Sequence, residues 1–190
     1  MIKEIENDIL KAYGSLENPS FRFEEDTTRQ KVYEPFMRDL AGALAPYLLD
    51  VLGFYKICNF TDVNTDHGYV FTLGAMDELW LQLSFVGSYA VLMRNTPYIM
   101  EVIDPSGARI PIETCIIDLL AVHDIRLPDK NTLEIPIGLK LFDTDPENVR
   151  VYQALFSDVD ILPWDPVPKR AKRYLRRKRR LWDVLTEFFG

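Results

Sequence analysis

The sequence predicts a single α+β domain, in which a mostly antiparallel sheet is covered by N-terminal helices, a middle helix and a C-terminal basic helix. Apolar residues recur at helical spacing before residue 53 and again after residue 110. Between residues 54 and 103 they recur at every second position instead. Connections there are short, which favours antiparallel pairing, because a parallel crossover needs about a dozen residues or more. A chain of 190 residues with 47% hydrophobic residues suits one globular domain spanning 1–190.

The first helix is predicted at the N-terminus. Ile2, Ile5, Ile9 and Tyr13 recur at intervals of three and four residues, which places them on one face of a helix. Gly14 follows and is well placed to end the helix, since glycine tolerates the left-handed conformation found there.

A second helical pattern extends towards residue 52. Thr27 followed by Gln30 resembles a capping box at its start. Its apolar positions are Val32, Phe36, Leu40, Leu44, Leu48 and Leu52. Proline lacks a backbone N–H and clashes with the preceding turn, so Pro35 and Pro46 are expected to kink or split this helix. Gly53 is a plausible residue to follow its end.

The middle of the chain predicts five strands. Leu79, Leu81, Leu83 and Phe85 alternate with more polar residues, the pattern of a strand with one buried face. The candidate strands are 54–62, 68–74, 79–86, 88–94 and 98–103. The turn-forming sequence at 104–107, Asp-Pro-Ser-Gly, closes this run.

Beyond the strands, the sequence predicts a helix near 111–124, whose apolar face contains Ile112, Ile116 and Leu120. A proline-rich, loop-forming stretch follows. Within it, Val149, Val151 and 154–156 are expected to form one more strand. The last segment, 169–190, is expected to be a basic helix.

Charge is distributed very unevenly along the chain. Nine of the 22 basic residues lie within the twelve positions Lys169 to Arg180, with no acidic residue among them. Residues 1–168 carry 13 Lys and Arg against 27 Asp and Glu, a formal charge of −14. Such asymmetry indicates an electrostatic partner, either within the same fold or on another molecule.

On a helix, Arg173, Arg176 and Arg177 would lie together, next to a narrow apolar stripe that includes Leu175 and Trp182. This segment could pack against the acidic body, or it could bind an acidic protein, a nucleic acid or a membrane surface. The charge of the body disfavours nucleic acid, since it would repel phosphates.

A second candidate binding segment runs from 143 to 164. Its carboxylates surround an apolar stretch and it ends at a tryptophan; these residues are Asp143, Asp145, Glu147, Asp158, Asp160 and Trp164. If exposed, they would suit a partner rich in Lys and Arg, with Trp164 supplying affinity. The alternative is a strand flanked by solvated acidic loops, with Trp164 in the core.

Other chemistry has little support in the sequence. Positions 62–66 begin like a calcium loop, but His67 and Leu73 replace the required Gly and Glu, so a hairpin loop is the better interpretation. The two histidines, His67 and His123, have no neighbouring ligand at zinc spacing. His123 beside Asp124 could serve acid–base chemistry, but forming the end of a helix is the simpler role. We therefore expect no metal, no cofactor and no catalytic residues.

The chain is expected to be cytoplasmic. Its first residues, MIKEIENDIL, are too charged for a secretory signal, and no apolar stretch is long enough to span a membrane. Cys58 and Cys115 lie far apart in apolar surroundings, as expected for reduced, buried thiols.

Two segments, LWLQLSFVGSYAVL at 79–92 and VYQALFSDVDILPW at 151–164, together with the region between them, resemble small bacterial immunity proteins. The resemblance implies a cytosolic, non-enzymatic protein that sequesters a cognate toxin by covering its active site. Two alternatives remain open: a nucleic-acid-binding regulator that uses 169–180, and an uncharacterised enzyme.

Overall fold

The computed structural model describes residues 1–20, 26–50, 58–59, 61, 66–74, 79–96, 99–104, 106–107 and 110–165; for 26–30, 46–50 and 58 it describes the backbone alone. The predicted basic helix at 169–190 lies outside these residues, as do Thr65 and the preceding part of the calcium-like loop. The described residues form an α+β fold, as predicted. None of their helices is both long and apolar enough to cross a membrane.

Within the described residues, five antiparallel strands follow one another in sequence order across the sheet. They are β1 (Cys58–Asn59), β2 (Gly68–Leu73), β3 (Leu79–Ser84), β4 (Ala90–Asn95) and β5 (Met100–Val102). Every strand overlaps its predicted range and pairs with its neighbour along the chain. The alternation of side chains aligns across the sheet, so that Phe71, Leu81 and Leu92 form one row on a single face.

That face of the sheet belongs to a core built with two helices, α2 (Asp26–Asp50) and α3 (Pro111–Val122). The helical residues buried in it are Tyr33, Phe36, Leu40, Leu44, Ile112, Ile116 and Leu120. The Tyr33 hydroxyl donates to the backbone oxygens of Ser84 (2.6 Å) and Gly87 (2.9 Å), which ties α2 to the end of β3.

The opposite face belongs to a second core, which contains α1 (Ile2–Tyr13), α5 (Val151–Phe156) and the chain between 133 and 164. Val91 and Met93 of β4 are its buried members from the sheet. A short helix, α4 (Lys130–Leu133), and a 3₁₀ turn, Pro146–Asn148, precede α5.

Helix α1 agrees with its prediction. Ile5, Ile9 and Tyr13 are buried on one face. Gly14 adopts a positive φ of 71° and its N–H donates to the Leu10 oxygen at 2.8 Å, which ends the helix at a position where a side chain would strain the backbone.

Helix α2 runs unbroken from Asp26 to Asp50, so of the two outcomes expected at Pro35 and Pro46, a kink or a split, the split does not occur. Pro35 lies on the exposed face together with Lys31, so water can reach the Lys31 carbonyl that the proline leaves without a partner. Phe36, Leu40 and Leu44 are buried as predicted, but Val32 is 54% exposed, and Tyr33 is the buried residue of that turn instead.

The strand predicted at 149–156 is wrong, because Val151–Phe156 forms helix α5. All six residues of α5, including the polar Gln153, are buried, so no side of the segment is exposed. Such a run has no periodicity that distinguishes a buried strand from a buried helix. Gln153 stabilises the helix start, since its Oε1 accepts the Arg150 N–H at 3.0 Å.

Candidate protein-binding surface

Asp158, immediately beyond α5, fixes the conformation of a neighbouring turn. Its side chain is only 4% exposed. One carboxylate oxygen accepts the backbone N–H groups of Phe142 (2.9 Å) and Asp143 (3.0 Å), and the other accepts the Thr144 hydroxyl (2.7 Å). A buried carboxylate needs such donors to offset its lost hydration, so the turn and Asp158 stabilise each other.

Asp160 performs a similar task two residues later, at the protein surface. Its Oδ1 accepts the Asn148 side-chain amide and the Asp145 N–H, each at 3.0 Å. These hydrogen bonds favour the charged form, so they lower the pKa of Asp160, with the bond from Asn148 as the largest cause. The two aspartates together join segment 158–160 to segment 142–148.

The joined segments expose apolar and acidic side chains together. Phe142 is 87% exposed, the most exposed of the large apolar residues in the described chain. Val159 and Ile161 are also exposed, as are the carboxylates of Asp143, Asp145, Glu147 and Asp160. We call these seven residues the 142–161 surface. An exposed apolar group within a ring of charge is typical of protein-binding sites.

Two residues predicted to contact a partner lie in the interior instead. Trp164 is only 4% exposed and packs edge-on against Tyr152, with their ring centroids 5.1 Å apart. Its indole N–H donates to the Glu134 carboxylate at 2.7 Å, and Lys130 Nζ lies 6.0 Å from the ring. Trp164 therefore belongs to the core, and Asp158 to the framework beneath the surface.

The remaining predicted residues divide into two groups. Asp143, Asp145, Glu147 and Asp160 are exposed and lie close together, as a shared acidic surface requires. Arg173, Arg176 and Arg177 lie outside the described residues.

Phe142 was missed by the sequence reasoning, although a signal for it exists. Leu139 and Leu141 are buried, whereas Lys140 between them is exposed. Continuing this alternation by one residue places Phe142 on the outer face, directly before the turn-rich sequence Asp-Thr-Asp-Pro.

His67 is a buried structural group at the contact between α1 and α5. Its Nδ1 lies 2.9 Å from the Tyr13 hydroxyl and 3.1 Å from the Gln153 backbone oxygen. Because a carbonyl only accepts, Nδ1 carries the proton. The Tyr13 hydroxyl in turn donates to the Ala154 oxygen at 2.9 Å. Burial is the largest effect on the pKa of His67; it lowers the pKa and so favours the neutral ring. Asp158 has a smaller effect in the opposite direction.

His123 ends α3, as the simpler interpretation expected, with its N–H donating to the Leu119 oxygen at 3.1 Å. Its side chain does not use Asp124. Instead, its Nε2 lies 3.0 Å from Asp39 of α2, an exposed carboxylate. The pair therefore links α2 to α3 at the surface.

A further ion pair lies between β4 and α3. Arg94 donates to the fully buried Glu113 through Nη2 (2.6 Å) and Nε (3.0 Å), and to Glu101 through Nη1 (2.8 Å). Hydrogen bonding to Glu113 is the main cause of a raised pKa of Arg94. Glu113 also accepts the Ile110 N–H at the start of α3. Arg94, Glu101 and Glu113 therefore have a structural role, which is to hold α3 to the sheet.

Among the side chains that the structure describes, no group of three or more His, Cys, Asp or Glu residues could hold a metal ion. Cys115 is a free, partly buried thiol whose pKa is raised by burial and by Asp118, whereas the side chain of Cys58 lies outside the described part. No protein-family model, curated protein or solved structure matches the chain.

Proposed function

We propose that the chain is a non-enzymatic binding protein, and most concretely an immunity protein that sequesters and occludes a cognate bacterial toxin. The observation that carries this proposal is the 142–161 surface, where the exposed ring of Phe142 lies on the same joined segments as four exposed carboxylates. Such a surface is complementary to a cationic active site with an apolar cleft.

The rigidity of this surface supports a role in binding. The turn that carries Phe142 is held by three hydrogen bonds that it donates to a buried carboxylate. A partner would therefore lose little free energy in ordering the turn on association, which is a principal cost of binding through loops.

The exposed carboxylates would act while the two proteins approach each other, before Phe142 is buried in the complex. Complementary charge raises the rate of encounter, whereas a desolvated aromatic residue mainly slows dissociation. Asp143, Asp145, Glu147 and Asp160 are thus expected to govern association, and Phe142 to govern dissociation. Occlusion of the toxin would follow from steric cover, and no chemical step is required.

The test uses the product of the gene immediately upstream of this chain's own gene: that product should be toxic when expressed in bacterial cells, and co-expression of the native chain should protect them. We expect Phe142→Ala to weaken toxin binding by about 2 kcal/mol or more, through faster dissociation, as for a central aromatic residue. Asp143→Asn with Asp145→Asn should instead slow association and weaken its salt dependence.

Val122→Ala is the matched control, because Val122 is 75% exposed on α3, away from this surface in the chain. It should bind and protect like the native chain. Melting temperatures of all variants must stay close to the native value for the comparison to be valid. Failure of the native chain to protect contradicts the immunity function, and full protection by Phe142→Ala removes the 142–161 surface from the interface.

A further inference from the structure

We propose that the 142–161 surface also binds the chain's own basic segment, Lys169–Arg180, which occupies it in the free protein and must leave before a cationic partner can bind. The displacement by a toxin rests on the proposed function. The intramolecular contact does not, and it can be tested alone.

Charge complementarity is the first argument. The surface contains four exposed carboxylates: Asp143, Asp145, Glu147 and Asp160. The segment contains nine Lys and Arg residues and no acidic residue in twelve positions. Because the described body has no comparable run of cations in its sequence, the segment is the natural counterpart within this chain.

Proximity is the second argument. Asp160 belongs to the surface, and Lys169 follows it by nine positions, a stretch that spans at most about 32 Å when fully extended. The intervening chain is fixed to the core at Trp164, and the Asp165 N–H donates to the Leu162 oxygen at 3.0 Å. The segment therefore starts close to the surface, and a short tether of this kind gives an effective concentration of about millimolar.

The exposed aromatic ring is the third argument. Phe142 is 87% exposed, which is unfavourable for so large an apolar side chain. The segment carries Tyr174 and Leu175 among its cations. It can therefore supply apolar cover and, from its arginines, guanidinium groups that are attracted to an aromatic face.

The experiment is a competition that uses the full chain and a synthetic twelve-residue peptide with the sequence of Lys169–Arg180. The variant replaces Arg173, Arg176 and Arg177 with Gln in the full chain. Glutamine is used because glutamate would itself attract the basic peptide. We expect the variant to bind the peptide at least about tenfold more tightly than the native chain, since its own segment, with three of nine cations removed, competes less strongly. This difference should shrink in about 0.5 M salt. Equal affinity of the two proteins for the peptide overturns the proposal.

A second comparison locates the peptide site. In the same variant, Asp143→Asn, Asp145→Asn and Glu147→Gln should abolish peptide binding. A charge-matched control, with Glu6→Gln, Asp118→Asn and Asp124→Asn, changes three exposed carboxylates on other elements and should leave it unchanged. Equal losses in the two sets would mean that only net charge matters and would also overturn the proposal.

The two proposals fail separately. Peptide competition in a chain that gives no protection against the toxin contradicts the immunity function and retains the intramolecular contact. Protection that depends on Phe142, without any competition by the segment, contradicts the intramolecular contact alone.

Discussion

Residues of the same type divide between the 142–161 surface and the core beneath it. Phe142 and Trp164 are both aromatic and both lie in the acidic stretch of the chain, yet one is 87% exposed and the other 4%. Asp158 and Asp160 differ in the same way, since the first is buried beneath the turn and the second lies at the surface. Residue type alone therefore does not identify which group can meet a partner.

Replacing these aromatic residues should change the free energy of unfolding by very different amounts. Trp164→Ala removes a buried ring packed on Tyr152 and leaves Glu134 without its indole donor, so we expect a loss of about 3–5 kcal/mol in the free energy of unfolding. Phe142→Ala should change it by no more than about 0.5 kcal/mol, because its ring is exposed in the described part of the chain and the proposed contact with Lys169–Arg180 can break without unfolding the core. Urea denaturation measures both values. Equal losses in the two variants would contradict the assignment of Trp164 to the core.

The buried His67 makes stability depend on pH. Its pKa in the folded chain lies below the ordinary value of 6.5, mainly because of burial, so the unfolded chain binds the proton more readily. The contribution of the neutral ring is complete above pH 6.5 and is lost as the pH falls from 6.5 towards the folded-state pKa. We expect a decrease of at most about 1.4 kcal/mol per pH unit from this single group.

The measurement is the urea denaturation midpoint between pH 7.5 and pH 5, where ordinary carboxylates stay charged. His67→Gln should lose most of this dependence, whereas His123→Gln should retain it, because these are the two histidines of the chain. The prediction is wrong if the native chain is equally stable across that range, or if His123→Gln removes the dependence.

At the scale of elements, the sheet and the helices respond differently to a side chain added at glycine. Gly68 pairs with Ser84 at the start of β2, where a Cβ atom would collide with the backbone oxygen of Leu83 and lie 2.9 Å from its carbon. Gly42 lies on the exposed face of α2, where a Cβ atom would meet nothing within 4 Å. The backbone at Gly68 must therefore shift to admit even a methyl group.

We expect Gly68→Ala to destabilise the chain by about 1–3 kcal/mol, because the sheet must move away from the added carbon. Gly42→Ala should instead stabilise it by about 0.5–1 kcal/mol, since alanine is a better helix former than glycine. Thermal or urea denaturation of the two variants provides the comparison. A Gly68→Ala protein as stable as the native chain would contradict the close pairing of β2 with β3.

The helices α1 and α3, which the sequence predicted correctly, each have one buried and one exposed face. In them, apolar residues therefore recur at the helical period. Helix α5 has no such contrast, because all six of its residues are buried. Its helical form follows from tertiary surroundings, including the contact of Tyr152 with Gln82 of β3 at 3.0 Å, which lies 70 positions away.

The candidate surface was predicted in part for a related reason. Its acidic residues are visible in the sequence, because exposed charge is the ordinary state of Asp and Glu. The exposure of Phe142 depends on hydrogen bonds that its turn donates to Asp158, sixteen positions later, and the burial of Trp164 depends on Tyr152 and Glu134. Contacts of this kind arise only when the fold brings separate segments together.

At the scale of the whole molecule, two cores lie on opposite faces of one sheet and are built from different parts of the chain. The core with α2 and α3 uses residues from 33 to 125, whereas the core on the other face joins α1 to residues beyond 132. The sheet itself pairs only neighbouring strands, so its contacts are mostly local. The second core is therefore the part that closes the described chain into one unit.

This joining of α1 to the distant end has a consequence during protein synthesis. The Tyr13 hydroxyl binds the Ala154 oxygen across 141 positions, and Ile5 and Ile9 are buried in the same core. At about 5–20 residues per second, a ribosome needs about 7–28 s to make the intervening chain. During this interval the apolar face of α1 lacks its partners in α5, although Tyr89, which binds Asp8 and belongs to the same core, is made earlier, so the first helix to emerge is among the last to be completely buried. The nascent chain thus offers an early binding site to the chaperones that recognise exposed apolar helices.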